Sequence, residues 1–386
     1  MFDNRMTRFA LAFALCLYAR QAGDPVVSEL NRALASNDPQ KVHAIEERLQ
    51  SGSGSLQTLL AAGILLAQRD MLPEASALFE RCSRQYPTSF EAKYNLALAQ
   101  IGLHNFSRAL AVARTISITS AAAAAGVEYL EGKIYSATDR LGDAKQKLEA
   151  AYRANPNEEN YALELALADI RAGAYVPAIE VLQSSLALHT DTQDLKLELA
   201  LADVLAGRHA AAIALCQELT KADPDLQMAR LIGAFAQCTD GDYPDCEKES
   251  AIALAANTPP PYFYYLRAEA VWNVRPSDTQ AILGDLNQAV TQMPSCSVCL
   301  LLRSRVLESK NENAAAITDL QNVLRFDPAS AAAWYRLSLL YRRSGDDAEA
   351  STAMVRYRAL RDNRETQEVD SFRHQFLDNV NSNIGH

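Results

Sequence analysis

Two rows of small residues run through this chain at a spacing close to 34. One reads Gly63, Ala97, Gly132, Ala166, Ala200, Ala234, Ala268, Ser304 and Ser338. The other reads Ala75, Ala109, Ala144, Ala178, Ala212, Cys246, Ala281, Ala316 and Ala350. Within each unit the rows lie 12 residues apart, or 13 in the seventh. A small side chain recurring at a fixed period marks a place where one helix backbone must approach another closely. The chain is therefore expected to be a two-helix unit stacked on itself, a solenoid whose core grows along its 386 residues rather than closing into one globule.

The punctuation agrees. Between the rows stands Gly173, Gly207, Gly241 or Gly345, or a polar residue such as Asp70, Asp139 or Asn311. A short polar turn of this kind ends one helix and starts its antiparallel partner. Pro87, Pro156, Pro224, Pro294 and Pro328 close units, with Thr190 and Thr258 at the equivalent places. Proline lacks the N–H that a helix interior needs, so it fixes the end of the second helix. One residue is added near Ala121–Ala125 and two around Arg275–Leu283. The expectation is an all-α fold of about twenty helices, without a sheet.

These residues resemble the tetratricopeptide repeat (TPR). Trp334, Leu337, Ser338, Tyr341, Gly345 and Ala350 fall on the family's Trp-Leu-Gly-Tyr-Gly-Ala positions, and Ala314 to Pro328 looks like its second helix and terminal proline. The resemblance covers nine units, residues 56–363, and implies a right-handed superhelical solenoid of about nine antiparallel helix pairs. It also implies a concave groove lined by the first helices. The matching inward positions are Tyr94, Leu98, Tyr129, Lys133, Leu163, Leu167, Leu197, Leu201, Leu231 and Phe235, then Arg267, Leu301, Arg305, Tyr335 and Arg342. An apolar groove ending in arginines suits an extended or helical peptide with an acidic end. The same leucines would equally serve as core of a tightly wound stack.

The ends differ from the array. Arg5 and Arg8 precede an apolar run from Phe9 to Ala19, followed by Ala19, Ala22 and Gly23, an order that reads as a secretory signal peptide over residues 1–22. Residues 23–55 read as a helical cap or degenerate repeat, with Asp38-Pro39 opening its second helix and Ser51 to Ser55 as a flexible junction. Residues 364–386 read as a capping helix and tail, with Phe372, Phe376 and Val380 at helical spacing for docking. A formal net charge of −10 gives nucleic-acid binding no electrostatic support. Nothing in the array is long and apolar enough to span a bilayer.

Chemistry-bearing patterns are sparse. Cys82 and Cys216 take second-helix positions where a buried inert thiol is expected. Cys238 and Cys246 flank one turn on facing helices, within disulfide range if the chain is exported. Cys296-Ser-Val-Cys299 has redox or zinc spacing but neither a second ligand pair nor a βαβ setting, leaving a local disulfide or two unrelated thiols. Six scattered histidines form no metal motif, and His209 takes an aromatic position in its turn. Asp169 and Asp203 occupy equivalent first-helix positions, where they would either turn to solvent or form a column for a basic ligand. No phosphate-binding loop or nucleophile elbow occurs. The reading is a non-enzymatic scaffold without a cofactor, binding a protein or peptide, placed in a cell-envelope complex or recruiting substrate for catalysis on another chain.

Overall fold

The computed structural model describes residues 24–52, 54–189, 192–256 and 258–361. These residues form twenty α-helices and no strand. The first pair is α1 (Pro25–Ala35) and α2 (Pro39–Ser51). Nine pairs follow. They are α3 (Leu56–Gln68) with α4 (Leu72–Gln85), α5 (Phe90–Gly102) with α6 (Phe106–Ala113), and α7 (Ala121–Ala137) with α8 (Leu141–Ala154). Next come α9 (Glu159–Arg171) with α10 (Tyr175–Leu188), α11 (Gln193–Leu205) with α12 (His209–Ala222), and α13 (Gln227–Asp240) with α14 (Tyr243–Leu254). The last are α15 (Tyr262–Val274) with α16 (Thr279–Gln292), α17 (Ser297–Ser309) with α18 (Asn313–Phe326), and α19 (Ala331–Ser344) with α20 (Asp347–Arg361). The expected signal peptide and the expected C-terminal helix lie outside the described residues.

Local chemistry explains the boundaries. Asp24, Asp38, Ser55, Ser89, Ser120 and Ser330 each accept a backbone N–H of the helix they precede, satisfying donors that have no partner inside the helix. The turn between paired helices places one residue in the left-handed region. That residue is Asn37, Asp70, His104, Asp139, Gly173, Gly207, Gly241, Asn311 or Gly345 in nine of the ten pairs. Glycine or a short polar side chain tolerates that conformation best. His104 holds the same place in its turn, where composition had pointed only to glycine and acidic or amide residues.

The chain divides into two compact units, one through Ala202 and one from Asp203. In the first, Leu59, Leu66, Leu78 and Phe79 form one core cluster and Tyr129, Leu130 and Leu148 another. The ladder residues do what their size demands. A Cβ on Gly63 would stand 2.5 Å from the Phe79 ring, and one on Gly132 would stand 2.6 Å from Leu148. In the second unit Leu300, Leu320, Leu337 and Leu340 are central to the core between α17, α18 and α19.

One rung of the ladder needs correction. Ala281 is exposed, and its neighbour Ile282 is fully buried. The two added residues both fall before α16, so the α15–α16 turn is longer and its Arg275 stays at negative φ. The buried position of α16 therefore moves one residue along, and an isoleucine fills it.

Candidate functional site

Within the first unit the inward positions are closed. Tyr94, Leu98, Tyr129, Leu163, Leu197 and Leu201 are all buried, and only Leu167 among the leucines named there is partly exposed. Tyr129 packs against Tyr161 in a tilted arrangement with ring centroids 4.9 Å apart. Lys133, 1% exposed, forms an ion pair with Glu164 and sits 5.5 Å from the Tyr129 ring centre. Burial above all, then the neighbouring Glu164 and tyrosines, pushes the Tyr129 hydroxyl well above the usual phenol range. These side chains hold neighbouring first helices together and offer no groove surface. In the second unit Leu231 and Phe235 are buried in the same way. The physical reason is common to both units. A first helix flanked by others on two sides buries most of its circumference, so a position facing inward is not thereby facing solvent.

The two aspartates also behave differently from the expectation of solvent exposure. Asp169 is 2% exposed and bonds to Lys145 Nζ at 2.5 Å. Asp203 is 1% exposed, with Arg208 Nε 3.0 Å away. Desolvation raises the pKa of both, opposed by the adjacent cation. Asp169 accepts a hydrogen bond from its cation, whereas Asp203 Oδ1 is paired with Arg208 by charge without an aligned hydrogen bond; each faces its own cation rather than a shared column.

Arg267 leaves the candidate set for a related reason. It makes a two-pronged bond to Asp285 of α16, at 2.8 and 2.6 Å. Arg303 makes the same bond to Asp319 of α18, at 2.8 and 2.7 Å. Arg267 and Arg303 are therefore the equivalent pair across the 36-residue step from Ala268 to Ser304. Arg305 is two residues further round its helix, on another face.

That other face is the candidate site. It is carried by α15, α17 and α19 of the second unit. Arg305 is exposed and lies over the Trp272 ring, 5.6 Å from its centre. Among the described residues it has neither a hydrogen bond nor an ion pair. Its surroundings remove part of its hydration and, with Arg336 nearby, lower its pKa; Glu269, Tyr265 and Glu308 pull the other way. Arg336 donates a hydrogen bond to Glu308 at 3.0 Å, and Arg343 forms a looser ion pair with the same carboxylate at 3.8 Å. Burial raises the Glu269 pKa against the effects of the Tyr265 hydroxyl and Arg305. Along α19, Tyr335 and Arg342 are seven residues apart, hence on one stripe, and both are exposed. Tyr335 packs against Tyr357 of α20 in a tilted arrangement, ring centroids 5.0 Å apart. Arg305 and Arg336 thus lie near Glu269 and Glu308, with the Trp272 ring under Arg305, and α19 adds an exposed stripe of Tyr335 and Arg342.

Trp272, Glu269, Glu308, Arg336 and Arg343 were not singled out from sequence. The 36-residue step was the signal that could have found them, since correcting for it aligns Arg305 with Glu269. A separate cleft of about 530 Å³ lies among α18, α19 and α20, lined by Leu324, Trp334, Leu337, Tyr341 and Ala353 among others. It shares no arginine with this face.

The structure joins Cys238 to Cys246 and Cys296 to Cys299 as disulfides, with Cα atoms 5.4 and 5.3 Å apart. The first ties α13 to α14 across the Gly241 turn; the second closes the first turn of α17. Cys82 and Cys216 are free and buried, and burial pushes each thiol up to about 12. At that value the reactive thiolate is scarce at neutral pH. No helix among the described residues is long and apolar enough to cross a membrane.

Residues 301–363 match the family model described as tetratricopeptide repeat. No curated protein matches the chain. Among solved structures, TTC0263, a thermophilic TPR protein of Thermus thermophilus, is 26% identical over 47% of this chain and 98% of its own, with a TM-score of 0.42. A monomeric mutant of IFIT1 with m7Gppp-AAAA is 13% identical over 86% of this chain and 80% of its own, with a TM-score of 0.50. YrrB, a TPR protein with an unusual peptide-binding site, is 16% identical over 57% and 95%, with a TM-score of 0.36.

Proposed function

Since this chain is a tetratricopeptide repeat protein, a fold that generally serves as a protein-interaction scaffold, we propose that it binds an acidic segment of a partner protein on the α15–α17–α19 face. The carrying observation is Arg305, partly dehydrated, stacked on Trp272 and without an ion-pair partner among the described residues. An arginine in that setting gains a charge-assisted bond when a carboxylate arrives, at little further desolvation cost. Tyr335 and Arg342 extend the same surface with an apolar ring and a second cation. The chain supplies the surface and catalyses nothing itself.

The two disulfides favour an oxidising compartment. With the basic, apolar and small-residue order at the N-terminus, they support export to the cell envelope. Mass measurement of the native protein tests that part: loss of the first 19–23 residues is expected, and a retained Met1 or Met6 in cytoplasmic fractions would refute it.

Binding is tested with a dye-labelled hexaglutamate peptide on the full chain, Arg305→Glu and Arg342→Glu. Charge reversal at either site should weaken binding by about tenfold or more. Unchanged binding would count against this face. Displacement by an RNA oligonucleotide at lower concentration than by unlabelled hexaglutamate would assign the face to nucleic acid instead.

A further inference from the structure

On the α15–α17–α19 face, residues recur in rows set by the steps of 36 and 34 from Ala268 to Ser304 to Ser338. One row is Glu269, Arg305 and Leu339; the next is Trp272, Glu308 and Arg342. Equivalent positions on successive first helices are neighbours in a stacked repeat, so Glu269 and Arg305 stand side by side. Yet neither makes an ion pair among the described residues, whereas Glu308 is held by Arg336 and Arg343. The Arg305 guanidinium lies instead over the Trp272 ring.

The charges around Glu269 are few. On α15 its titratable neighbours are Tyr262 and Tyr265, and the Tyr265 hydroxyl favours the charged carboxylate. From α17 it meets the charge of Arg305. The other helices packed on α15 direct their charges elsewhere. Arg230 of α13 pairs with Glu249 of α14, Glu247 of α14 with Arg275, and Asp285 of α16 with Arg267. Asp240 faces His209, and Asp245 and Lys248 are exposed. Among the described residues, Arg305 is thus the cation that acts on Glu269. Burial, the larger influence, raises the pKa of this carboxyl against it.

A second carboxylate arriving at Arg305 changes that balance. It takes up the charge of the guanidinium and adds a like charge nearby, and both effects favour the protonated form of Glu269. We propose that a partner's carboxylate binds Arg305 with uptake of a proton by Glu269, which makes the face a pH-gated site. The proton comes from solvent and ends on the Glu269 carboxyl, leaving the partner's anion alone with the guanidinium. The inference rests on the reading of this face as a site for acidic segments. Its sign follows from linkage. Affinity is full below the pKa of Glu269 in the free chain. It falls as pH rises from that value to the higher one of the complex, and is level above both. If the bound anion makes Glu269 an about tenfold weaker acid, affinity changes by about tenfold across this window.

The test uses the full chain and a dye-labelled hexamer of cysteic acid. Its sulfonates stand in for the partner's carboxylates and stay ionised throughout, so that only the protein titrates. Affinity is measured from about pH 5 to about pH 8. Protons taken up are counted by titration calorimetry in two buffers of different ionisation enthalpy. Wild type should bind about tenfold more tightly at the acid end, with measurable proton uptake. Glu269→Gln, confirmed as folded by its melting midpoint, should lose that difference and that uptake. Protonation of the chain's other carboxylates and histidines acts on both proteins alike and cancels in the comparison. Arg305→Glu should weaken binding at every pH. Equal pH dependence and uptake in wild type and Glu269→Gln, with binding still lost in Arg305→Glu, overturn the proton coupling and leave the acidic-segment reading intact. Loss of the pH dependence in Glu308→Gln but not in Glu269→Gln also overturns it, by assigning the proton to Glu308. Absence of binding in every protein at every pH overturns both readings.

Discussion

At Ala178 the methyl group is fully buried on α10, while Glu180 on the same helix is exposed. Adding methylenes to a packed interior forces side chains off their rotamers and shifts backbone, so Ala178→Leu should destabilise the fold by about 1–3 kcal/mol. A leucine at Glu180 should have little effect. Equal denaturation midpoints for the two variants would show the register to be wrong. Glu269 offers a second residue-scale expectation. Its surroundings are the buried hydroxyls of Tyr262 and Tyr265 and the Arg305 guanidinium, and desolvation is the dominant influence. The folded-state pKa lies above the unfolded one, so the folded chain binds more protons and this carboxylate costs stability as pH rises through that window. Glu269→Gln should therefore gain on wild type as pH rises from below 4 towards neutrality, and the gap should close in acid. A pH-independent gap would refute the assignment. Small ladder residues were legible in the sequence because only close backbone approach explains them. The burial of Leu201 or Phe235 was not, because periodicity tells which way a side chain points and not whether a neighbour covers it.

Helix pairs followed the same logic with one slip. Polar turns and terminal prolines set the boundaries of nearly every element, since a left-handed turn residue and a missing N–H are local demands that neighbours cannot override. The α15–α16 pair broke the pattern because two residues were added in its turn. That displaced Ile282 into the buried row, while Arg267 keeps with Asp285 the same pairing that Arg303 makes with Asp319 in the next unit. The cysteine pairs belong to this scale as well. Cys238–Cys246 closes a short loop, and its removal frees the unfolded chain by an amount that the loop-entropy relation puts at about 2.5 kcal/mol. A Cys238→Ala, Cys246→Ala variant should thus unfold at lower denaturant concentration than wild type under oxidising conditions. With reductant present the gap should narrow, because wild type then loses the same constraint. An equal midpoint with and without reductant in wild type would mean that the bridges add nothing to stability.

Across the whole chain, the formal charge of −10 hides an uneven distribution. Residues 151–250 carry the largest share of the acid, seventeen Asp and Glu against seven Lys and Arg, whereas residues 301–361 are net positive. Composition alone could not show this, because a sum over the molecule erases the sign of any one surface. The consequence is kinetic as well as thermodynamic. An acidic partner is repelled by much of the chain and attracted by its final helices, so encounter at the α15–α17–α19 face depends on local charge within a Debye length of about 10 Å at 0.1 M salt. Raising salt from 0.05 to 0.5 M should slow association of hexaglutamate with wild type by about tenfold and change dissociation much less. In Arg305→Glu with Arg342→Glu the association rate should start lower and respond weakly to salt, or rise as repulsion from the acidic stretch is screened. A salt response of equal size in wild type and the double variant would show that the arginines do not steer the encounter, and that the net charge of the whole chain governs it instead.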